Sequence, residues 1–380
     1  MRIRRLFALM LLVLSLCSAL LFPALAEETP YVNVRGAFDA VEGEKEKVIV
    51  SFLGDCTIGC NAVDQPKKKS IITLVNENGF DYPFRRVKYI LEQDDLTVAN
   101  FEGVLADSGK GIKKKTYNFR ADPVFAKVLT EGSVEAVTLG NNHTADFGKP
   151  GFESTTAALE SAGVNWFAST DYAVKTYLYE KGNARIGFVG MYISYYWQNL
   201  DDVKAAFDAL REAGAQVVVA VIHGGVEYDA RHDNNQTRFA KRMIAFGADA
   251  VVGHHPHRLQ GYEVLEASPV FYSLGNFVFG GNFYLRSKYT VILQMAFSID
   301  EEGRYMGYQV NLIPCRLSEH DKNNLYQPYP ITGRPAELAI DEMQNDTLKF
   351  YPISDYQEGI GALQPYVKVE KAPAQEPAAQ

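Results

Sequence analysis

Three of the chain's seven histidines, His254, His255 and His257, fall within four consecutive positions. They follow a short apolar run at residues 250–252 that ends at Gly253. This pattern is typical of a buried strand that leads into a ligand-bearing loop. Neutral imidazole is the commonest metal ligand among side chains, so the cluster predicts a metal site rather than three histidines that face water.

The other apolar runs end in polar residues in the same way. We predict strands at residues 47–53, 96–101, 134–139, 216–222 and 249–252. Segments with helical spacing of apolar residues separate them, at residues 84–91, 124–129, 152–159, 203–210 and 239–246. This alternation predicts an α/β fold with a parallel or mixed sheet that is covered on both faces.

The polar residues at the strand ends supply the donors for one site, because ligands of such sheets gather at the carboxyl ends of the strands. These ends carry Asp55, Glu102, Asn142, His143, Asp146, His223, Glu227, His255 and His257. Oxygen and imidazole donors suit Mn, Fe, Zn or Mg better than a thiolate-bound ion. The set is large enough for one divalent ion or two, and a pair of ions is the general route to phosphoester hydrolysis.

The pattern changes after residue 270. Residues 270–279, 289–299 and 305–313 predict antiparallel strands that complete the sheet, and residues 337–343 predict a helix on its outside. We expect a main domain at residues 47–317 and a C-terminal extension at 318–364. The final stretch, residues 365–380, is rich in Ala, Pro and Gln and predicts a disordered tail.

The first residues predict export. Residues 1–26 combine three arginines, a long uncharged apolar run and the sequence Ala24-Leu25-Ala26, as in a secretory signal peptide. An uncleaved N-terminal anchor is the alternative, because the run is long enough to span a bilayer. Residues 27–46 indicate a linker. We therefore expect a protein that is secreted or attached to the outer face of the cytoplasmic membrane.

Charge and cysteine content restrict the partners. The formal net charge of −8 becomes −11 when the three arginines of the signal leave, which disfavours non-specific binding of nucleic acid. Lysine runs at residues 67–69 and 113–115 indicate solvated loops, with guidance of an anionic substrate as the alternative. In an oxidising exterior Cys56 and Cys60 could pair, although their spacing does not guarantee the geometry of a disulfide.

Six motifs, in order, resemble those of one family, and the match covers roughly residues 48–315. They are Gly54-Asp55, Ala99-Asn100-Phe101-Glu102, Gly140-Asn141-Asn142-His143 with Asp146-Phe147-Gly148, His223-Gly224-Gly225-Val226-Glu227-Tyr228, Gly253-His254-His255-Pro256-His257 and Tyr272-Ser273-Leu274-Gly275-Asn276-Phe277. The series looks like that of CapA-type proteins, the capsule poly-γ-glutamate biosynthesis branch of the calcineurin-like metallophosphoesterase superfamily. Six ordered motifs are far more specific than any one of them.

The resemblance implies a four-layer α-β-β-α sandwich of two mixed sheets, with a divalent metal site at the sheet ends. It implies metal ligands at Asp55, Glu102, Asn142, His223, His255 and His257. His143 matches the histidine that helps to protonate the leaving group in the phosphatases, and we place Asp146 with it as a catalytic candidate. His254 is expected to be structural, and His232 and His320 to lie on the surface.

Two positions depart from the phosphatase pattern. Thr57 stands where those enzymes carry a histidine, and Glu102 stands in place of their bridging Asp. Both changes leave open a single ion, or an altered second ion that Glu227 assists.

The chain contains no Gly-x-x-x-x-Gly-Lys-Ser/Thr loop, which argues against an ATP-dependent ligase. The resemblance instead implies an exported metallophosphatase-fold protein that assists synthesis or export of capsular poly-γ-glutamate beside a membrane-bound ligase or export complex. Its ligand would be the anionic polymer or a phosphoester. Two alternatives remain: a secreted metal-dependent phosphoesterase acting on envelope or nutrient phosphates, and a non-catalytic cell-surface binding protein with a structural metal.

Overall fold

Strands and helices alternate through most of the chain. The computed structural model describes residues 30–349 and 351–369, and Tyr31 begins the unit that holds the whole fold. The strands there are β1 (Glu44–Thr57), β2 (Leu96–Phe101), β3 (Val104–Leu105), β4 (Arg120–Ala121), β5 (Ala136–Thr138), β6 (Asn165–Ser169), β7 (Val174–Lys175), β8 (Tyr177–Lys181), β9 (Ala184–Tyr192), β10 (Val217–His223), β11 (Ala250–His254), β12 (Tyr262–Leu265), β13 (Ser268–Phe271), β14 (Asn276–Phe279), β15 (Tyr289–Asp300), β16 (Tyr305–Arg316), β17 (Tyr329–Pro330) and β18 (Ala362–Lys368). The α-helices are α1 (Ile71–Asn78), α2 (Lys88–Leu91), α3 (Lys127–Glu131), α4 (Gly148–Ser161), α5 (Ile193–Gln198), α6 (Leu200–Glu212), α7 (Asn234–Ala245) and α8 (Gly333–Gln344).

Sixteen of these strands form one curled mixed sheet, and β3 and β4 form a small separate one. The main path runs β12-β13-β11-β10-β9-β6-β5-β2-β1-β15-β16-β17. Near its middle, β6 and β9 are joined through the pair Ser169 and Met191, and the sheet divides there into two halves. β1 is parallel to β2 and β14 but antiparallel to β15, so the parallel strands meet the antiparallel part of the sheet at β1.

Three apolar clusters show how the layers stack. One lies between the halves, where Phe52 of β1 meets Phe188 of β9 with ring centroids 6.3 Å apart. A second packs α1, α3 and α4 against the outer face of β2 and β5. The third packs α5, α6 and α7 against the outer face of β9, β10 and β11. Helix, sheet, sheet and helix follow one another, which confirms the predicted four-layer α/β fold, although hydrogen bonds join its two sheets into one.

The predicted strands at the site are present within a few residues of their expected bounds. The apolar runs 289–299 and 305–313 form the long antiparallel pair β15 and β16, as predicted. The prediction of antiparallel pairing at residues 270–279 is wrong for β14, which is parallel to β1, and holds for β13 only against β12, because β13 is parallel to β11. Of the predicted helix at 84–91, α2 occupies the last turn alone. The sequence pattern predicted no strand at β6, β8 or β9. β8 is a half-buried strand of five residues with mixed polarity, and it gives no clear alternation.

The domain limits differ from the predicted ones. Val34 and Phe38 lie in the predicted linker but are buried in the core. The Val34 N–H donates to Gln93 Oε1 at 3.1 Å, which holds this segment against the domain. β18 pairs with β16 and reaches Lys368, so residues 365–368, predicted to lie in the tail, belong to the sheet. The predicted C-terminal extension is likewise part of the fold. In it, α8 packs Ala336, Ala339 and Met343 into the apolar cluster between the two halves of the sheet.

The predicted signal at residues 1–26 and the last eleven residues of the tail lie outside the described residues. Within the described ranges, every helix is too short or too polar to cross a bilayer.

Cys56, Cys60 and Cys315 are buried free thiols, so the pairing of Cys56 with Cys60 that the sequence allowed is not formed.

The turn before β2 contains a carboxyl group with a strongly perturbed pKa. Thr97 Oγ1 donates to Asp94 Oδ2 at 2.8 Å. Burial raises the pKa of Asp94 to about 7, and the nearby Glu135 carboxylate adds to the rise. The unfolded chain releases this proton near pH ~4. The stabilisation from the protonated form is therefore fully present below that pH and is lost as the pH rises to about 7.

We expect Asp94→Asn to flatten this pH dependence, because the amide cannot ionise. At pH 8 the variant should gain about 1–2 kcal/mol of unfolding free energy relative to the parent protein, and at pH 4 it should gain almost nothing. Urea unfolding at both pH values measures the difference, with the exposed Asp39→Asn as control. An equal gain at both pH values would show that ionisation of Asp94 is not the cause.

Candidate metal centre

Asp55 lies at the end of β1 and is completely buried. Its position depends on Gly54, where an added Cβ would lie 2.1 Å from the carbonyl oxygen of Gly275. This close approach lets the Asp55 N–H donate to that same oxygen at 2.8 Å. The carboxylate then accepts hydrogen bonds from Asn100 Nδ2 at 2.7 Å and from His257 Nδ1 at 2.9 Å.

Glu102 follows β2 and is also fully buried. Its backbone N–H donates to Cys56 O at 2.9 Å, which turns the side chain toward the strand ends. Among the described residues neither carboxylate oxygen has a hydrogen-bond partner. His143 Nε2 and His223 Nε2 are each 3.7 Å from Glu102 Oε1. A buried carboxylate without a partner is costly in a stable fold, so these oxygens are suited to a bound cation.

The loop after β11 holds its histidines in an unusual backbone conformation. His255 has φ 98° and His257 has φ 57°, in the region that non-glycine residues rarely adopt. Such residues cost roughly 1–3 kcal/mol each and cluster at functional sites. Tyr228, also at positive φ, braces the loop by donating its N–H to Pro256 O at 2.7 Å. The strain places both imidazoles on the side of Asp55 and Glu102.

His223 and Asn142 complete the group. His223 ends β10, and its Nδ1 accepts from Asn100 Nδ2 at 3.1 Å, while its Nε2 lies 3.0 Å from Asn142 Oδ1. Asn141 supports Asn100 from the far side, since its Nδ2 donates to Asn100 Oδ1 at 3.0 Å. The two asparagines thus hold the buried ring of His223 toward Glu102.

Three sets of donors lie close enough to share a metal ion, with the atoms of each set within 4.8 Å of one another. The sets are Glu102 with His223 and His255, Asp55 with Glu102 and His257, and Glu227 with His255 and His257. Glu102 belongs to two of them. The residues present therefore fit one divalent cation, or two that share Glu102, and their carboxylate and imidazole donors match Mn, Fe, Zn or Mg.

The electrostatics favour a cation at this point. Burial raises the pKa of Glu102 to about 8. Burial lowers the pKa of His255 to about 4, and the nearby His257 adds to the fall. Burial also lowers the pKa of His257, but the charges of Glu102 and Asp55 outweigh this effect and raise the pKa to about 9. Metal binding would take the place of the His257 proton, as expected where ligands must be deprotonated.

His143 lies beside this cluster in a separate network. Its Nδ1 donates to Asp146 Oδ2 at 2.7 Å, and its ring stacks on Phe119 with centroids 4.4 Å apart. Lys115 Nζ donates to Asp146 Oδ1 at 2.5 Å and to Asn142 O at 2.7 Å. The backbone N–H of Phe119 donates to Asp146 Oδ2 at 2.7 Å. His143 is thus oriented with Nε2 toward Glu102, where it can hold or deliver a proton.

Eight of the nine residues that the sequence marked for the site come together here: Asp55, Glu102, Asn142, His143, Asp146, His223, His255 and His257. Glu227 joins them through its set with His255 and His257. His254 lies outside the three sets, and its Nδ1 is 3.4 Å from Asp55 Oδ1. Their roles as ligands and catalytic groups stay predictions.

Other residues at the site gave weaker signals. Asn100 lies in one of the motifs, but its spacing from the other candidates did not indicate a role at a metal site. Lys115 belongs to a lysine run that favoured a solvated loop, and Tyr192 ends β9, a strand that the sequence did not reveal. His232 differs from the surface position predicted for it, because it is half-buried, stacks on Tyr272 at 3.7 Å and bonds to Asp346.

Comparison with known proteins assigns the chain to a family. A family model described as bacterial capsule synthesis protein PGA_cap matches residues 49–281, which include every residue of the candidate site. The chain belongs to this family. The resemblance to CapA-type proteins seen in the motif series is thereby confirmed.

Two members are similar over most of their length. Capsule biosynthesis protein CapA of Bacillus anthracis is 28% identical over 338 residues, which cover 80% of this chain and 78% of the relative. PGA biosynthesis protein CapA of Bacillus subtilis strain 168 is 27% identical over 297 residues, covering 73% and 75%. A solved structure of a novel phosphatase from Mycoplasma pneumoniae aligns with a TM-score of 0.39 and 13% identity, over 73% of this chain and 95% of that one.

In this member of the PGA_cap family, Thr57 is the last residue of β1, close to Asp55. Its hydroxyl is buried and has no hydrogen-bond partner among the described residues. A hydroxyl offers a weaker ligand than the histidine that the phosphatases carry there. The site therefore depends more heavily on Glu102 for any ion near Asp55.

Proposed function

We propose that this protein is an exported accessory protein of capsular poly-γ-glutamate synthesis or export that hydrolyses a phosphoester at a divalent metal site. One observation carries the proposal: the buried, unpaired carboxylate of Glu102 is shared by two donor sets and lies beside the His143–Asp146 pair. A bound divalent metal would activate water and neutralise phosphoryl charge. The protein's own groups would hold the substrate, and His143 would supply a proton to the leaving oxygen.

The polymer role is supported by the capsule family and by its relatives. The two CapA proteins carry the capsule or PGA biosynthesis names given above, and a Mycobacterium tuberculosis relative, 25% identical over 62% of this chain, is described as a probable polyglutamine synthesis accessory protein. An accessory role agrees with the missing nucleotide-binding loop, so a separate membrane-bound ligase or export complex is the proposed partner. Export rests on the signal-like sequence of residues 1–26.

Gene deletion followed by complementation tests the proposal. We expect capsular polymer to fall on deletion, to return with the parent gene and to stay low with His255→Ala, because this substitution removes a donor from two of the three sets. His320→Ala, outside those sets, serves as the matched control and should restore the polymer. Full restoration by His255→Ala would show that the metal site is not needed for polymer production, and unchanged polymer after deletion would remove the accessory role.

A further inference from the structure

A cavity of about 210 Å³ lies beside the metal cluster. It is bounded by the loop after β5, by residues 169–172, by Tyr192 and by α5. We propose that this cavity binds a neutral sugar ring, so that the phosphoester delivered to the metal site is a sugar phosphate. The second part of this inference rests on the proposed phosphoesterase function, whereas binding of the sugar does not.

The cavity shares its wall with the metal cluster. Asn142 lines it and also places its Oδ1 3.0 Å from His223 Nε2. Tyr192 lines it too, and its ring centroid is 5.8 Å from that of His223 and 6.4 Å from that of His255. A group held in the cavity therefore lies next to the donors, and a phosphate attached to it can reach them.

The lining matches a hydroxylated ring. Eleven of the twelve lining residues carry a hydroxyl, amide or carboxyl group, and the twelfth is Ala145. Three are tyrosines, Tyr172, Tyr192 and Tyr195, which offer flat apolar faces together with hydroxyl groups. Specific small-molecule sites combine such faces with a few converging polar groups. A sugar, whose ring carries hydroxyl groups around a less polar face, fits both features.

The charges argue against a carboxylate-rich chain in this cavity. None of the described lining residues is a lysine or arginine, and Asp171 adds a negative charge. Tyr195 Oη lies 3.5 Å from Asp202 Oδ2, which brings a second carboxylate to the rim. A polyanion would be repelled here, while a neutral ring would not. By contrast, a separate cavity of about 350 Å³ is lined by the lysines at 67–69 and by Tyr284.

Substrate comparison tests the inference. The metal-loaded protein should hydrolyse glucose 1-phosphate or glucose 6-phosphate with a kcat/KM about a hundredfold above that for ethyl phosphate, which lacks the ring. Tyr172→Ala and Gln198→Ala should each reduce this ratio about tenfold without changing ethyl phosphate turnover. Tyr284→Ala, at the other cavity, is the matched control and should leave the ratio unchanged. Equal rates for the sugar and ethyl esters, or a preference for adenosine monophosphate over both sugar phosphates, would overturn the inference.

Direct binding separates this inference from the proposed function. In saturation-transfer NMR with the methyl glycosides of glucose, galactose and N-acetylglucosamine, we expect transfer to at least one glycoside. The double variant Tyr172→Ala with Gln198→Ala should lose that signal, and Tyr284→Ala should keep it. Sugar binding without turnover of any phosphoester would overturn the phosphoesterase and keep the sugar cavity. Turnover of ethyl phosphate without binding of any glycoside would keep the phosphoesterase and overturn the sugar cavity.

Discussion

Replacing Glu102 with glutamine is expected to reduce metal-dependent hydrolysis of p-nitrophenyl phosphate at least a hundredfold. The side chain keeps its size, so the packing around it is preserved, but it loses the negative charge that two donor sets share. Both sets then fall from three strong donors to two. Steady-state kinetics over a range of Mn²⁺ and Zn²⁺ concentrations measures the loss.

The same variant has a second readout that does not depend on activity. A ligand present at a hundred times its dissociation constant stabilises a fold by about 2.7 kcal/mol. We expect added Mn²⁺ or Zn²⁺ to stabilise the parent protein on this scale and Glu102→Gln much less, with each protein compared with its own metal-free form. Glu153→Gln, whose side chain is exposed on α4, is the matched control. Metal stabilisation that is unchanged in Glu102→Gln would show that this carboxylate is not a ligand.

The sequence predicted the site better than it predicted the sheet. Asp55, Glu102, His223 and the His255–His257 pair could be found because each follows an apolar run, and parallel strands bring their carboxyl ends to one edge. That argument needs the strands alone and not their order. The site could therefore be found although the sequence does not predict the order of the strands around β1, where parallel and antiparallel neighbours meet.

What the sequence missed depends on contacts distant along the chain. The fold places Lys115 next to Asp146, 31 residues away, through a loop that has no periodic pattern. The strained conformations of His255 and His257 are likewise set by tertiary contacts, such as the bond from Tyr228 to Pro256. The cavity beside Asn142 depends on β9, a strand that was not predicted. Its neighbour β8 was not predicted either, because β8 shows no alternation of polar and apolar residues. Local propensity fixes none of these features.

Lys115→Ala is expected to slow hydrolysis in a way that depends on the leaving group. Lys115 Nζ donates to Asp146 Oδ1 and to Asn142 O, and Asp146 in turn orients His143. Without the lysine the imidazole is less well held, so proton delivery to the leaving oxygen becomes less efficient. Proton transfer by a positioned side chain contributes about 10²–10⁴-fold when the leaving group needs it.

We therefore expect Lys115→Ala to lower kcat for ethyl phosphate about 30-fold, less than the full contribution of about 10²–10⁴-fold because Asp146 still bonds to His143. For p-nitrophenyl phosphate, whose leaving group departs without a proton, kcat should fall less than about threefold. Lys114→Ala, exposed and next in the chain, is the control and should change neither rate. Lys115→Arg should recover part of the ethyl phosphate rate, since a guanidinium can also donate to Asp146. An equal loss with both esters would show that Lys115 acts on substrate binding or folding and does not position His143, because only a defect in proton delivery discriminates between the two leaving groups.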